Sequence, residues 1–568
     1  MKKKWQLAPK IEQSLISVFP ELNPLILQLL FNRGLVKQKS IDEFLLPDYS
    51  QDIHNPFLFS DMEKLIERVL SAKEKQEKVF IYGDYDADGI TASAVLWNLF
   101  KKIGLQNVEV YIPDRDKEGY GLNENSVRFI KESGANLIVT CDCGITNLSQ
   151  IDLAKDLGMD VIVTDHHLPK DKLPNVLAII NPHCEDNYPF KNLAGVGVAF
   201  KVAQAFAQRL KDQTENNWEA FEKWLLDLVA IGTVADSMAL KGENRALVKY
   251  GLIVLNKTSR VGLMALIKSA GLNLGAIETT DIEFCLSPRL NAVGRLQHAK
   301  TALDLILTDD PNKAEMIAAE LNQINIKRQK LVEEIYQEII QNQIPGQLQE
   351  KIIISIGENW PVGLIGLIAS KLQEAYQRPA LVMTARDKGI SGSGRSNEHF
   401  NLVENLKFLE HYFIRFGGHA GACGFELKNK EEVNDFIAQA RVLANQKLAQ
   451  ADFTDNIFID AEVCLSDITW EIYEDIQKFA PFGRDNKYPL FLINNLEIGG
   501  LQWMGKQNNH LRIISKEGKR FIFFKGLANG GKDLRVGDKV NIIFQLSVNQ
   551  WNGSQELQMK VVDFSFKE

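Results

Sequence analysis

A chain of 568 residues, 45% hydrophobic and 24% charged, holds enough apolar material for packed cores and is long enough for three or four domains, which excludes a disordered chain. No run approaches the roughly 18–20 uncharged apolar residues that cross a bilayer, so a protein built of membrane-spanning helices is excluded as well. The net charge of −8 neither advertises nucleic-acid binding nor excludes it, because a basic groove can sit on an acidic body.

The start, "MKKKWQLAPKIEQSL", is basic but has no apolar segment after it, so no signal peptide and a cytoplasmic location are expected. Residues 1–50 read as a helical lead-in. "SDMEKLIERVLSAKEKQ" follows, with apolar residues at helical spacing and Ser60 as the expected N-cap. The pattern then changes. "KVFIYGD" ends at Asp84, "NLIVTCD" at Asp142, "DVIVTDHH" at Asp165, His166 and His167, and "VLAIINPH" at His183. These short, nearly continuous apolar runs alternate with helical sequence such as "TASAVLWNLFKKIG", which predicts a parallel sheet buried on both faces. In such sheets the functional crevice lies beyond the carboxyl ends of the strands, and three strands deliver acids or histidines to that one edge.

Residues 193–310 read as mostly helical, with Asp236 after an apolar stretch in "LLDLVAIGTVADSMAL". Residues 312–344 contain neither Gly nor Pro and predict one long helix. A second α/β lobe follows, with "KIIISIG", "PALVMTA" and "GISGSGRS" as strands. From about residue 450, short strands at turn-punctuated intervals predict an OB-like barrel. The expected domains are 1–50, 51–310, 311–345, 346–450 and 451–568: lead-in, first α/β lobe, connector helix, second lobe and barrel. Six cysteines are scattered; Cys141 and Cys143 form C-D-C without the second half of a zinc site and read as small buried residues.

Asp84, Asp86 and Asp88 cannot all ionise cheaply in one crevice unless a cation neutralises them. With Asp142, His166 and Asp236 they make five carboxylates and one imidazole, a mixed oxygen–nitrogen set suited to Mn2+ or Mg2+. Six ligands are too many for one open ion and about right for two, the usual device for in-line phosphoryl displacement. Alone, "DYDADG" reads equally as a solvated acidic turn or a calcium loop, though it lacks the later Glu of an EF-hand and follows a strand. Alone, "DHH" reads as surface or structural histidines. Their conjunction on three strand ends makes a metal site the reading. Arg289 and Arg295 in "SPRLNAVGRL", Arg395 in "SGSGRS" and His419 in "RFGGHAGACGF" offer forked donors and Gly-flanked N–H groups that recognise phosphate. Taken singly, each also reads as a tight turn with a surface cation; they gain meaning if the second lobe faces the crevice.

"YGDYDADGITA", "TCDCGIT", "TDHH" and "GTVADSMAL", in this order, resemble the successive motifs of the DHH phosphoesterase superfamily. "PRLNAVGR", the long helix, "GSGRS" and "FGGHAGACGF" resemble its RecJ family, and the likeness begins near residue 25 with "LLFNRGLVKQKSIDEFLLPD". The resemblance implies an α/β fold of two lobes (DHH and DHH-associated) joined by a long helix, plus a C-terminal OB-like β-barrel. It implies a metal-dependent 5′-to-3′ exonuclease that hydrolyses single-stranded DNA to mononucleotides in repair and recombination. Two Mn2+ or Mg2+ ions would be its cofactors. A monomer, with a helicase and a single-strand-binding protein as partners, belongs to the same expectation. By position, Asp84, Asp86, Asp88, Asp142, His166 and Asp236 match the metal ligands, with Asp142 as the bridge. His167 would touch the scissile phosphate and Asp165 would orient its neighbours, which makes His167, Asp165 and Asp142 the expected catalytic set. Arg289, Arg295, Ser393, Arg395 and His419 would bind substrate phosphates. The barrel should supply a basic track and stacking aromatics, with Trp503, Phe523 and Phe524 as candidates.

Two positions depart from the family pattern. Pro361 in "ENWPVGLIG" stands where a histidine is usual, and Asp485 in "APFGRDNKYPLF" replaces a glycine, which is expected to change the turn conformation. Two other functions stay open. A phosphoesterase of the same superfamily acting on short oligonucleotides, cyclic dinucleotides or pyrophosphate would have no use for the barrel. A non-catalytic DNA-binding protein would be marked by loss of ligand acids, and all are present here.

Overall fold

The apolar runs become the strands of a buried parallel sheet. The computed structural model describes residues 3–212, 217–387, 389–551 and 554–566, and the chain falls into two units. The larger takes residues 53–238 and 247–453; the other takes 1–52, 239–246 and 454–568. In the larger unit the first sheet runs Val108–Tyr111, Lys78–Gly83, Ala135–Cys141, Asp160–Thr164, Ala178–Ile180, every neighbour parallel. Val79, Phe80, Ile81 and Tyr82 are all buried, as strands covered by helices on both faces must be. The edge strand Val108–Tyr111 escapes the sequence pattern because the exposed Glu109 interrupts its apolar run. Chain direction across the sheet reverses between Lys78–Gly83 and Ala135–Cys141, the kind of switch point where open α/β sheets bind ligands.

Register then sets the site. Gly83 pairs with Cys141, Cys141 with Thr164 and Thr164 with Ile180. The next residues, Asp84, Asp142, Asp165 and Asn181, therefore leave the sheet side by side. The helix Met62–Glu74 begins after Asp61 rather than Ser60, whose backbone N–H instead donates to Glu185 Oε2 at 2.7 Å.

The Gly- and Pro-free stretch forms one helix, Pro311–Asn342, of 32 residues. Asp310 caps it by accepting from the N–H groups of Asn312 and Lys313. Ala314, Ile317, Ala318 and Leu321 are buried at helical spacing in its first half. Ile335 and Ile339 join Leu364, Ile368 and Val382 in the core of the second lobe. That lobe's sheet runs Phe413–Gly418, Ala422–Leu427, Gly389–Arg395, Ala380–Arg386, Ile353–Glu358, with only the last pair parallel.

In the other unit the lead-in is not purely helical. Lys4–Leu7 pairs in parallel with Asn456–Ile459 ahead of the helices Gln13–Val18, Pro24–Asn32 and Gln38–Leu45. Five strands close a barrel: Phe491–Met504, His510–Ser515, Arg520–Phe523, Ser554–Phe566 and Lys539–Trp551, the last pairing back to the first. Phe523 is 2% exposed and belongs to the barrel core, so it is not a stacking platform; Trp503 and Phe524 are 36% and 48% exposed. Asp485 takes a left-handed φ of +59°, inside a turn in which Gly483 and Asn486 exchange backbone hydrogen bonds of 3.0 and 3.2 Å. No helix among the described residues is long and apolar enough to cross a membrane.

Candidate active site

The acids are positioned by backbone hydrogen bonds before any ligand is considered. Asp86 is the N-cap of the helix Ala87–Lys102 and accepts from the N–H groups of Asp88 and Gly89, both at 3.0 Å. The buried Asp88 carboxylate accepts from Gly195 N at 2.7 Å and Val196 N at 2.9 Å, the first turn of the helix Gly195–Leu210. Asp142 takes φ +60°, a conformation that non-glycine residues adopt at a cost. Asp236 ends the helix Leu226–Ala235. Ligand atoms of Asp84, Asp86 and Asp142 lie within 4.8 Å of one another; so do those of Asp88, His166 and Asp236, and those of Asp142, His166 and His167. His183, at the end of the fourth run, stays outside these groups.

Close approach depends on glycines that the sequence reading passed over. A Cβ on Gly89 would fall 2.7 Å from Asp84 Cβ, one on Gly195 2.6 Å from Asp142 Oδ1, and one on Gly232 2.7 Å from Asp88 Oδ1. Gly195 and Gly232 lie in apolar helical sequence, where a glycine is costly and for that reason informative.

Burial pushes the Asp84 and Asp142 carboxyls well above the ordinary carboxylate range, with repulsion from Asp86 and from Asp88 respectively adding to it. Burial, then Asp86, raises Asp88 to about 7. Burial, then His167, lowers His166 to about 4. Asp84 Oδ1 and Asp142 Oδ1 are buried and have no hydrogen-bond partner. His166 Nε2 stands 3.0 Å from that Asp142 oxygen, 3.8 Å from Asp236 Oδ2 and 4.0 Å from Asp88 Oδ2. Adjacent ligands of an octahedral ion bound at about 2.1 Å lie about 3.0 Å apart. An orphaned carboxylate oxygen facing a neutral imidazole at that spacing, with the orphaned Asp84 oxygen in the adjoining acid group, fits a hard divalent cation.

Asp165 is of a different kind. Its buried carboxylate accepts from His166 N at 2.7 Å, His167 N at 3.1 Å, His167 Nδ1 at 2.8 Å and Ile145 N at 3.0 Å. Burial alone would raise it, but these bonds hold it below the ordinary value. Burial would likewise lower His167, yet the Asp165 hydrogen bond and the surrounding carboxylates raise it to about 9. Asp165 thus holds both histidines through Oδ1, while its Oδ2 accepts only from Ile145 N.

A second cluster is cationic. Arg295 donates to Gly363 O of the second lobe at 3.0 Å, and Arg395 donates to Ser393 Oγ at 3.0 Å and Gly394 O at 2.7 Å. Arg289 holds Cys285 O and Asn322 Oδ1. Burial, then repulsion from Arg115, Arg328 and Arg395, lowers Arg295 to about 9, with Asp86 opposing. Arg115, Arg289, Arg295, Arg328 and Arg395 form no ion pair among the described residues. Half-buried guanidiniums without a carboxylate partner suit an anion such as phosphate. Arg115, whose guanidinium lies over the Tyr85 ring at 5.1 Å, was not foreseen: its loop, "PDRDKEGYG", is polar and aperiodic. His419 is exposed in the turn after Phe413–Gly418, and its side chain makes no hydrogen bond or ion pair among the described residues. Pro361 is the N-cap of the helix Val362–Tyr376 and brings no side-chain donor to replace a histidine.

Residues 78–233 match the DHH family, N-terminal domain; residues 349–446 match the DHHA1 domain; residues 459–563 match the RecJ OB domain. The chain is 37% identical over 574 residues to the single-stranded-DNA-specific exonuclease RecJ of Bacillus subtilis (strain 168), covering 100% of this chain and 71% of that relative. The chain belongs to the RecJ family. The RecJ of Escherichia coli (strain K12) is 30% identical over 586 residues, covering 98% and 99% of the two chains. The crystal structure of RecJ in complex with Mn2+ from Thermus thermophilus matches with a TM-score of 0.83 at 27% identity, over 100% of this chain and 80% of that one. Its Mg2+ complex matches with a TM-score of 0.78 at 26% identity, over 100% and 79%. The RecJ architecture of two α/β lobes, a long helix and an OB barrel is the one found here.

Proposed function

We propose that this chain is a metal-dependent exonuclease that hydrolyses single-stranded DNA from its 5′ end to mononucleotides, in DNA repair and recombination. The observation that carries the reading is the pair of buried, unpartnered oxygens, Asp84 Oδ1 and Asp142 Oδ1, at the carboxyl edge of the parallel sheet. Asp84, Asp86, Asp88, Asp142, His166 and Asp236 would hold two Mn2+ or Mg2+ ions, with Asp142 between them. Bound there, such ions neutralise the acids, activate water and stabilise charge on the phosphate oxygens. His167, held by Asp165, meets the scissile phosphate. Arg115, Arg295 and Arg395, with Ser393, grip the terminal phosphate, and Arg289 and His419 serve adjacent ones. Fixing the end in this way sets how far the scissile bond lies from it, which is what an exonuclease needs. The barrel contributes Trp503 and Phe524 as stacking platforms.

The proposed domains remain 1–50, 51–310, 311–345, 346–450 and 451–568. Family likeness points to a cytoplasmic monomer that works with a helicase and a single-strand-binding protein.

The test is a nuclease assay with Mn2+ on single-stranded DNA labelled at its 3′ end. A ladder of shortening labelled products, absent with EDTA and absent on blunt duplex, is expected. Immediate release of a labelled mononucleotide would reverse the polarity, and no cleavage would sink the exonuclease reading.

A further inference from the structure

Tyr120 joins two parts of the site through a loop that is itself fixed. The glycines on either side, Gly119 and Gly121, take left-handed φ values of +81° and +79°, which few side-chain-bearing residues could adopt. A Cβ on Gly121 would fall 2.5 Å from Asn147 Oδ1. Tyr82 Oη donates to Gly121 O at 2.9 Å. Glu118 accepts from Tyr111 Oη and Asp114 N, both at 2.7 Å, and from Asn123 Nδ2 at 3.0 Å. From this anchored loop, Tyr120 Oη donates to Asp142 O at 3.0 Å and lies 3.0 Å from His167 Nδ1.

We propose that Tyr120 is a positioning residue that locks the Asp142 backbone and the His167 ring into one working geometry. Asp142 sits in the left-handed region, which an L residue adopts at a cost, and the Tyr120 bond to its carbonyl helps hold it there. The Tyr120 hydroxyl proton goes to that carbonyl. Its oxygen is then free to accept from His167 Nδ1–H, which it shares with Asp165 Oδ1. With Nδ1 committed to protein, Nε2 is the ring nitrogen left for substrate. One hydroxyl therefore couples the acid expected between the ions to the histidine expected at the phosphate, an assignment that rests on the exonuclease reading above.

Tyr120→Phe keeps the ring and removes only the hydroxyl. Two measurements on the full chain test it: Mn2+ affinity without DNA, from the electron paramagnetic resonance signal of free Mn2+, and steady-state cleavage of single-stranded DNA at saturating Mn2+. The expected result is about 10-fold weaker Mn2+ binding and a kcat about 10–100-fold lower, the range for loss of an outer-shell partner, with KM within about twofold. A role in packing alone would leave both unchanged, and wild-type Mn2+ affinity together with wild-type kcat overturns the proposal. If the wild-type chain proved unable to cut DNA while the two proteins still differed in Mn2+ affinity, the exonuclease reading would fail and the positioning role would stand.

Discussion

Asp142 Oδ1 and His166 Nε2 stand 3.0 Å apart, yet the buried carboxylate oxygen has no hydrogen-bond partner. Contact distance without a hydrogen bond is what two ligands aimed at a common third atom look like. Asp142→Asn removes the charge while keeping a side chain that tolerates the left-handed backbone. We expect cleavage and Mn2+ affinity to fall at least about 100-fold, more than loss of an outer-shell partner costs. In EDTA the variant should be at least as stable as the wild type, because a repelling buried charge is gone. Thermal melts in EDTA beside a Mn2+ titration check both; a wild-type Mn2+ affinity would contradict the ligand assignment.

Stability of the metal-free chain should fall as pH rises from about 6.5 to 9. Asp88 is raised to about 7, and Asp84 and Asp142 lie well above their ordinary value, so their contribution is complete below the unfolded carboxylate pKa and fades as pH climbs through the folded values. His167, raised to about 9, acts with the same sign over this window. His166, lowered to about 4, acts oppositely but only below its unfolded value of 6.5. Melting temperatures in EDTA should therefore drop across the window, and Mn2+ should stabilise most at its alkaline end, where the ligands are deprotonated. A flat or rising profile in EDTA would contradict the crowding of acids.

Arg395 tests the anion site independently of the metal. Arg395→Ala should raise KM for 5′-phosphorylated single strands by about 10–100-fold, the worth of one hydrogen bond to a charged group, and leave Mn2+ affinity unchanged. Arg395→Lys should recover little, because an ammonium cannot reproduce the fork. Steady-state kinetics on strands with and without the terminal phosphate separate this from a general loss of DNA affinity.

Neighbouring phenylalanines in the barrel should behave differently. Phe524→Ala, like Trp503→Ala, should weaken single-strand binding by about 1–3 kcal/mol with little change in melting temperature. Phe523→Ala should instead destabilise the fold by about 3–5 kcal/mol, since its ring lies in the core. Fluorescence anisotropy and thermal melts distinguish the two.

The strands and their terminal acids were legible because apolar runs covered on both faces carry a dense signal and Asp84, Asp142 and Asp165 interrupt it abruptly. What was hidden depended on other signals. Arg115 and Tyr120 lie in a polar loop whose shape is set by two left-handed glycines, and no periodicity marks it. Phe523 and Phe524 could not be phased because side chains alternate between faces and the strand Arg520–Phe523 stops between them. The strand Lys4–Leu7 exists only through its pairing with Asn456–Ile459, hundreds of positions away, so nothing local announces it.

The shared register of Lys78–Gly83, Ala135–Cys141 and Asp160–Thr164 separates what drift can change from what it cannot. Exchanging Val79, Ile138 or Val163 for another branched residue repacks a core. Deleting one residue from any of these runs moves its terminal acid by a strand rise of about 3.3 Å and turns it to the opposite face, farther than a carboxylate can reach back. The lengths of these three segments are thus held more tightly than their composition. Over long divergence, insertions should accumulate in the loops and helices between them and be absent from the strands themselves.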